Sequence, residues 1–391
     1  MKIQRPFKAI VALLGCLTVL LAAVPAFGHD PLRDSHVRHE RNNGDAVNTR
    51  AGLADARSEI VKFRETGDDQ HLDHARRMLA PALNSNRASA ETLIVAAFVE
   101  QSRHNFVRAI ELIEESLSIN HNNDEAWLLL ASIQLVVGDV GSAATACSQL
   151  RASSPVILLT CKARVALANG NHELALNRLQ RILLLVDDAQ LPVETRAWSY
   201  SVAGDLAVAA GALQEARILY RQSLTLAERT QVRSALVDVL LAISDYSAAK
   251  RTLDEGSAAL PLLVRRLIVA RHLGRLQELE PTLVKLQQEF DVWIANDDWL
   301  HAREMARFYI DVVNQPDRAR RLALINLTLQ QEPEDRRLEQ RTRGVAGRMT
   351  RNTTSGPSES LCSPVRCLQR GVANRDLHSD ANPSNGHAIL R

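Results

Sequence analysis

Small and large apolar residues alternate with polar ones in a unit that returns along most of the chain. Each unit has a first segment with small residues, a Gly or polar turn, an alanine five residues further on and a large residue four after that. The clearest copy contains Gly204, Gly211, Ala216 and Tyr220. Segments of about 12–14 residues with one apolar face predict helices that cannot bury that face alone. The pattern therefore predicts helix pairs that stack on their neighbours into a superhelix.

The alanines of the predicted second helices define the repeat. They are Ala75, Ala109, Ala143, Ala175, Ala216, Ala249 and Ala319. Successive alanines are 34, 34, 32, 41, 33 and 70 residues apart. The interval of 70 contains two steps with a degenerate unit around Gly274 between them, and an insertion at residues 186–194 accounts for the interval of 41.

This pattern resembles the tetratricopeptide repeat family, in which each unit of 34 residues is a pair of antiparallel helices. Small residues stand where the family's two helices cross, as Ala131 and Ala143 do here. Prolines stand at the predicted ends of second helices, at Pro155 and Pro333. The resemblance covers roughly residues 50–335 and implies an all-α solenoid of about seven to eight helix pairs. It also implies a concave surface, lined by the first helices, that binds protein partners.

The first 28 residues predict an export signal of bacterial type. Lys2, Arg5 and Lys8 precede an uncharged apolar run over residues 9–23, and small residues allow cleavage after Gly28. The run is shorter than the roughly 20 apolar residues that a membrane span needs. An uncleaved N-terminal anchor is the alternative interpretation.

The same apolar run offers a second route to the envelope. Leu13-Leu14-Gly15-Cys16 resembles a bacterial lipobox, so a lipid anchor through Cys16 is an alternative to the periplasm. Both routes take the chain out of the cytoplasm into oxidising conditions. No membrane span is expected after signal cleavage.

The rest of the chain divides by its apolar periodicity. We predict a flexible lead-in over residues 29–48, the tetratricopeptide-like solenoid over 49–343 and a disordered tail over 344–391. The tail contains no aromatic residue and few large aliphatic ones, too little apolar surface to offset the entropy of ordering it.

Composition agrees with this fold and excludes some functions. Hydrophobic residues make up 46% of the chain but aromatic residues only 4%, which favours helices over a β-sandwich or barrel. Lys and Arg number 47 against 45 Asp and Glu. A dedicated nucleic-acid binder would have a strongly basic face, so no nucleic-acid partner is expected.

Motifs for catalysis are missing from the sequence. There is no GxSxG, no GxxxxGK[ST], no HExxH and no GxGxxG after a strand. We therefore predict that the protein is not an enzyme and that it needs no cofactor or metal.

Cysteines and histidines leave alternatives open. Cys147 and Cys161 fall on helices expected to pack together, as a candidate disulfide or as two buried thiols. His71 and His74 are three residues apart, and His29, His36 and His39 lie near the mature N-terminus. Solvated polar side chains are the preferred interpretation of these histidines. The alternative function is a periplasmic, copper-type metal-handling accessory protein that uses the N-terminal histidines or Cys147 and Cys161.

The concave groove is the predicted binding site. By the register of the first helices, we expect its lining to include Phe98, Leu128, Leu129, Ser132, Arg164, Trp198, Ser201, Asp205 and Asp238. Such a groove, largely apolar with two acids, suits a partner segment with apolar anchors and a base. The predicted function is a non-catalytic protein–protein interaction scaffold of the bacterial cell envelope.

Overall fold

The computed structural model describes residues 43–66, 69–84, 88–150, 153–186 and 191–352. The predicted signal peptide, Cys16 and the three N-terminal histidines lie outside these residues, as do most of the lead-in and tail. Within the described residues the chain forms seventeen α-helices and one 3-10 helix, and it forms no strand. The predicted all-α solenoid of helix pairs is confirmed.

The helices follow one another with short turns. They are α1 (Asn43–Thr66), α2 (Gln70–Asn84), α3 (Ala90–Ser102), α4 (Phe106–Ile119), α5 (Asp124–Val137), α6 (Val140–Ser148), α7 (Pro155–Ala168), α8 (His172–Leu185), α9 (Val193–Ala209), α10 (Leu213–Leu226), α11 (Thr230–Ala242), α12 (Tyr246–Asp254), α13 (Leu260–His272), the 3-10 helix (Leu276–Leu279), α14 (Glu280–Ala295), α15 (Ala302–Asp311), α16 (Pro316–Leu329) and α17 (Pro333–Asn352).

Local signals set where the helices begin and end. The Asn123 side chain accepts the backbone N–H groups of Glu125 and Ala126 and so caps α5. Gly138 ends the same helix at φ +86°, which glycine adopts without strain. Pro155 and Pro333 are the first residues of α7 and α17 rather than the ends of the helices before them. Proline fits there because the first residues of a helix donate no intrahelical hydrogen bond.

The alanines of the second helices lie at the helix crossings as predicted. Six of the seven have no exposed surface, namely Ala75, Ala109, Ala143, Ala216, Ala249 and Ala319. Ala175 is half-buried. Small side chains at these positions allow the two helices of a pair to approach closely.

α3, the first helix of its pair, is buried on more than one face. Eleven of the thirteen residues of α3 are buried, against five of the fourteen residues of α4. A helix of a plain two-layer solenoid buries one face against its partner and neighbours. α3 also packs against α1, α2 and α5, and these contacts account for its greater burial.

The helical segment extends beyond the predicted solenoid boundaries. α1 begins at Asn43, inside the predicted lead-in, and α17 ends at Asn352, inside the predicted tail. The predicted boundaries were set by the apolar residues of each helix. The polar ends of α1 and α17 have no apolar periodicity, so the sequence pattern did not include them. The described residues up to Ala346 belong to one compact unit, and the end of α17 belongs to a second. No helix in the described ranges combines the length and apolar character of a membrane span.

Candidate binding site on the concave face

Four of the predicted groove residues, Phe98, Leu128, Leu129 and Trp198, belong to the hydrophobic core, and Trp198 also lines a cavity. Phe98, Leu128 and Leu129 are no more than 1% exposed and pack among the other core side chains. They offer no surface to a partner, which corrects their placement in the groove. The repeat register placed them correctly on the first helices α3 and α5, but their side chains are part of the core.

Trp198 and the other predicted residues lie around one cavity. Arg164, Trp198, Ser201, Asp205 and Asp238 line a space of about 460 Å³ on the inner side of α7, α9 and α11. Ser132 is buried beside it, where its hydroxyl oxygen accepts a hydrogen bond from Arg164 Nη1 at 2.8 Å. The predicted register therefore brings these six residues to one region.

The opposite wall of the cavity is formed by the chain itself. Side chains of α15 and α17 complete the lining, namely Arg303, Glu304, Arg307, Glu334, Arg337, Leu338 and Arg341. The backbone N–H of Gln331, just before α17, donates to the carbonyl oxygen of Val136 at the end of α5 at 2.7 Å. The C-terminal helices thus cross the concave face and narrow the expected open groove to a cavity.

A first cluster of charges joins α15 to the solenoid. The guanidinium groups of Arg265 and Arg307 both donate to the carboxylate of Asp238, with closest distances of 2.6 Å. Arg265 Nη1 also donates to Glu304 on α15 at 3.2 Å. Burial disfavours the ionised form of Asp238, but the two arginines outweigh burial and hold the pKa of this carboxyl well below its usual range. The negative charge of Asp238 is therefore already compensated by two arginines of the same chain.

A second cluster holds α17 against α15. Arg303 Nε and Nη2 donate to the two carboxylate oxygens of Asp335 at 2.6 and 2.8 Å, a bidentate pair. Arg303 also donates to Glu332 at 3.0 Å, and the Asn326 side-chain amide donates to Asp335 at 2.6 Å. Burial raises the pKa of Asp335 to about 6 against the opposing effect of Arg303. Since these groups are buried, the cluster fixes the position of α17 more than it adds net stability.

Two groups in the cavity are less completely compensated. Asp205 accepts a hydrogen bond from the Tyr220 hydroxyl at 2.6 Å, and burial raises the pKa of its carboxyl to about 7. Burial lowers the pKa of Arg229 against the opposing effect of the Glu194 charge. The Arg229 Nε atom has no hydrogen-bond partner among the described residues. A ligand that accepts a hydrogen bond would complete this part of the cavity.

Cys147 on α6 and Cys161 on α7 form a disulfide, with their Cα atoms 5.8 Å apart. The bond links consecutive pairs beside the cavity-lining part of α7. Because each sulfur is bonded to the other, the pair supplies no thiolate to a metal ion. The interpretation as two buried thiols, and the use of this pair in metal handling, do not agree with the structure.

Stacked antiparallel helix pairs with small residues at their crossings define the class as an α-solenoid of helical hairpins. Residues 155–229, which contain α7 to α10, match the sequence model of the tetratricopeptide repeat. This part of the chain therefore contains tetratricopeptide repeats.

Solved structures of this class are similar to the chain at low sequence identity. A thermophilic tetratricopeptide repeat protein of Thermus thermophilus is 19% identical with a TM-score of 0.39, and the match covers 47% of this chain and 99% of that one. A tetratricopeptide repeat protein of Parabacteroides merdae is 13% identical with a TM-score of 0.39, covering 76% and 99%. Yeast Tom70 is 12% identical with a TM-score of 0.45, covering 86% and 69%. No curated protein matches the sequence.

Proposed function

We propose that this protein is a non-catalytic scaffold that holds a segment of a partner protein in the concave-face cavity. Tetratricopeptide repeat proteins are typically scaffolds for protein–protein contacts, and this family supports the general class of function. The observation that carries the specific proposal is the cavity of about 460 Å³, which has an apolar wall and an incompletely bonded guanidinium. Its volume is within the range of pockets that hold small ligands or side chains.

The chemistry of the cavity selects the kind of segment that fits. Trp198, Val202 and Val232 contribute an apolar wall for a large aliphatic or aromatic side chain. Asp238 already has two arginine partners, so a base from the partner would find that carboxylate occupied. Arg229 instead lacks an acceptor at Nε. We therefore propose a partner segment with an apolar side chain and a carboxylate, instead of the basic side chain that the sequence led us to expect.

A cavity-filling variant tests this proposal. Ala235 lines the cavity and is half-buried, so Ala235→Trp should occupy the space that the partner needs. Ala144 on α6 is exposed outside the cavity, and Ala144→Trp adds the same side chain as a control. Cross-linking in envelope extract should recover the partner. The affinity for this partner, measured for both variants, should fall only in Ala235→Trp.

Charge reversal gives a second measure of the same site. Arg229→Glu should lower the affinity for the partner at least about tenfold if a carboxylate of the partner contacts this guanidinium. Equal capture by wild type, Ala235→Trp and Arg229→Glu would place the partner on another surface and refute the proposal.

We also propose that the scaffold acts in the periplasm. The basic start and apolar run of residues 1–28 support export, with lipidation at Cys16 as the alternative. A reporter that is active only outside the cytoplasm, fused after residue 60, should be active. Mass spectrometry of the mature N-terminus should find His29 after signal cleavage, whereas a lipidated Cys16 would establish the anchor. An inactive reporter would refute export.

A further inference from the structure

A carboxylate and two imidazoles converge at the N-terminal end of the described solenoid, away from the concave-face cavity. Glu59 lies on α1, and His71 and His74 lie one turn apart on α2. The Glu59 Oε2 atom is 2.7 Å from His71 Nδ1 and 3.2 Å from His74 Nδ1. The three ligand atoms lie within 4.8 Å of one another. Side-chain spacing alone showed only the two histidines, because Glu59 joins them through the crossing of α1 and α2.

The arrangement leaves one carboxylate oxygen for the two imidazoles. Lys62 donates to the other oxygen, Glu59 Oε1, at 2.6 Å. The Glu59 side chain is only 9% exposed, whereas His71 and His74 are 23% and 48% exposed. Lys62 thus holds the carboxylate in place, and the two imidazoles are the more exposed members of the cluster.

The donor set and its spacing match a metal ion of the zinc class. Two imidazole nitrogens and one carboxylate oxygen are a frequent set of three protein ligands for zinc, with bond lengths of about 2.0–2.2 Å. Ligand atoms that share one tetrahedral zinc ion lie roughly 3.3 Å apart. The two separations from Glu59 Oε2, 2.7 and 3.2 Å, are slightly shorter than this value, so small side-chain rotations would suffice to accommodate the ion.

We propose that Glu59 Oε2, His71 Nδ1 and His74 Nδ1 bind one divalent transition-metal cation, with zinc as the reference ion. Each neutral imidazole places its proton on Nε2 and gives the Nδ1 lone pair to the metal. Water takes the fourth coordination position. The site has no role in the concave-face cavity and does not depend on what binds there.

The position of the site gives the metal a structural effect. In a solenoid each unit is stabilised by packing on its neighbours. A metal held by α1 and α2 together links the two helices of the first described pair. Because the ligands come from two helices, metal binding stabilises the paired state over any state in which the pair has opened.

The test is a titration of zinc chloride into the full-length, untagged mature protein, followed by calorimetry. The N-terminal histidines are removed as competing ligands in a background that combines His29→Ala, His36→Ala and His39→Ala. One zinc ion per chain should still bind in this background, and zinc should raise the thermal midpoint.

Single variants in the same background identify the ligands. His74→Ala should weaken zinc binding by at least about tenfold and remove the zinc-dependent rise in the thermal midpoint. Because the His74 side chain is about half exposed, its removal should leave the fold intact. Glu59→Gln, which keeps the volume and one acceptor oxygen for Lys62 but removes the charge and the second acceptor oxygen, should also weaken binding. His172→Ala on α8 removes a half-buried histidine elsewhere and should change neither measurement.

Two results would overturn the proposal. Absence of zinc binding once the N-terminal histidines are replaced would assign any metal affinity to those residues. Unchanged zinc affinity in His74→Ala and Glu59→Gln, with helical content preserved by circular dichroism, would show that the cluster is only an ion pair between two helices.

Discussion

Gly204 is the position at which one added methyl group should have the clearest effect on stability. It lies on α9 under the ring of Tyr220 from α10. A Cβ atom built on Gly204 would be 2.5 Å from Tyr220 Cε1 and 2.6 Å from Cδ1. Carbon atoms in contact are about 3.5–4.0 Å apart, so Gly204→Ala forces the buried ring to move by roughly 1 Å. Such a movement also breaks the hydrogen bond from the Tyr220 hydroxyl to Asp205.

The change in the free energy of unfolding is the sum of two destabilising contributions and one stabilising contribution. Overpacking of a close-packed core costs about 1–3 kcal/mol. Loss of the hydrogen bond between Tyr220 and Asp205 costs about 1 kcal/mol. Replacement of glycine by alanine inside a helix gains about 1 kcal/mol. The free energy of unfolding should therefore fall by about 1–3 kcal/mol in Gly204→Ala.

Gly344 supplies the matched control. It lies within α17, is exposed, and a Cβ atom there meets no other atom within 4 Å. Gly344→Ala keeps the helix contribution without the overpacking, so it should leave stability unchanged or raise it by up to about 1 kcal/mol. Urea unfolding followed by circular dichroism measures both variants. Equal shifts in the two variants, or stabilisation by Gly204→Ala, would show that Tyr220 does not pack on Gly204 and would refute the crossing geometry.

Two further predictions test the crossing and the cavity. Ala216→Leu should destabilise by about 1–3 kcal/mol because Ala216 is fully buried, whereas Ala212→Leu at the half-buried turn should cost less than about 0.5 kcal/mol. Hydrogen exchange in Ala216→Leu should rise over residues 165–250 and in α17 and hardly at all near Ala109, and an even rise along the chain would contradict the register. For Asp205, whose pKa is raised to about 7, the folded state binds more protons than the unfolded state between about pH 4 and 7. The free energy of unfolding should therefore fall as pH rises through this window, and Asp205→Asn, measured by urea unfolding, should remove that part of the slope; an unchanged slope would exclude Asp205 as its source.

The helix pairs could be predicted because their determinants are local in sequence. A small residue at a crossing and a glycine at a turn repeat within each unit, and Ala143, Ala216 and Gly211 are visible without any knowledge of the fold. The closeness of the pair depends on these residues alone, since larger side chains would separate the helices. The local repeat was therefore sufficient to predict the fold class and the helix positions of the six residues at the cavity.

The closure of the groove could not be predicted in the same way. Arg307 and Asp238, which pair across it, are 69 residues apart, and their meeting depends on the curvature summed over several units. The segment from Arg318 to Arg351 is rich in arginine, a pattern that is typical of a solvated helix face. Asp335 and Glu332 in that segment are instead buried against Arg303. A sequence pattern assigns a charged residue to a helix but does not show which distant helix will cover it.

Closure changes how the solenoid responds to damage. In an open array each unit touches only its neighbours, and a local defect stays between them. Here the residues before and within α17 contact the end of α5 through Gln331 and Val136 and contact α15 through Asp335 and Arg303. Units distant in sequence therefore share one set of buried charges, and each charge remains favourable only while its partner is in place. A defect at the crossing of α9 and α10 has two routes outward, along the array and across the cavity, and for this reason loosened hydrogen exchange in α17 is the observation that distinguishes a closed solenoid from an open one.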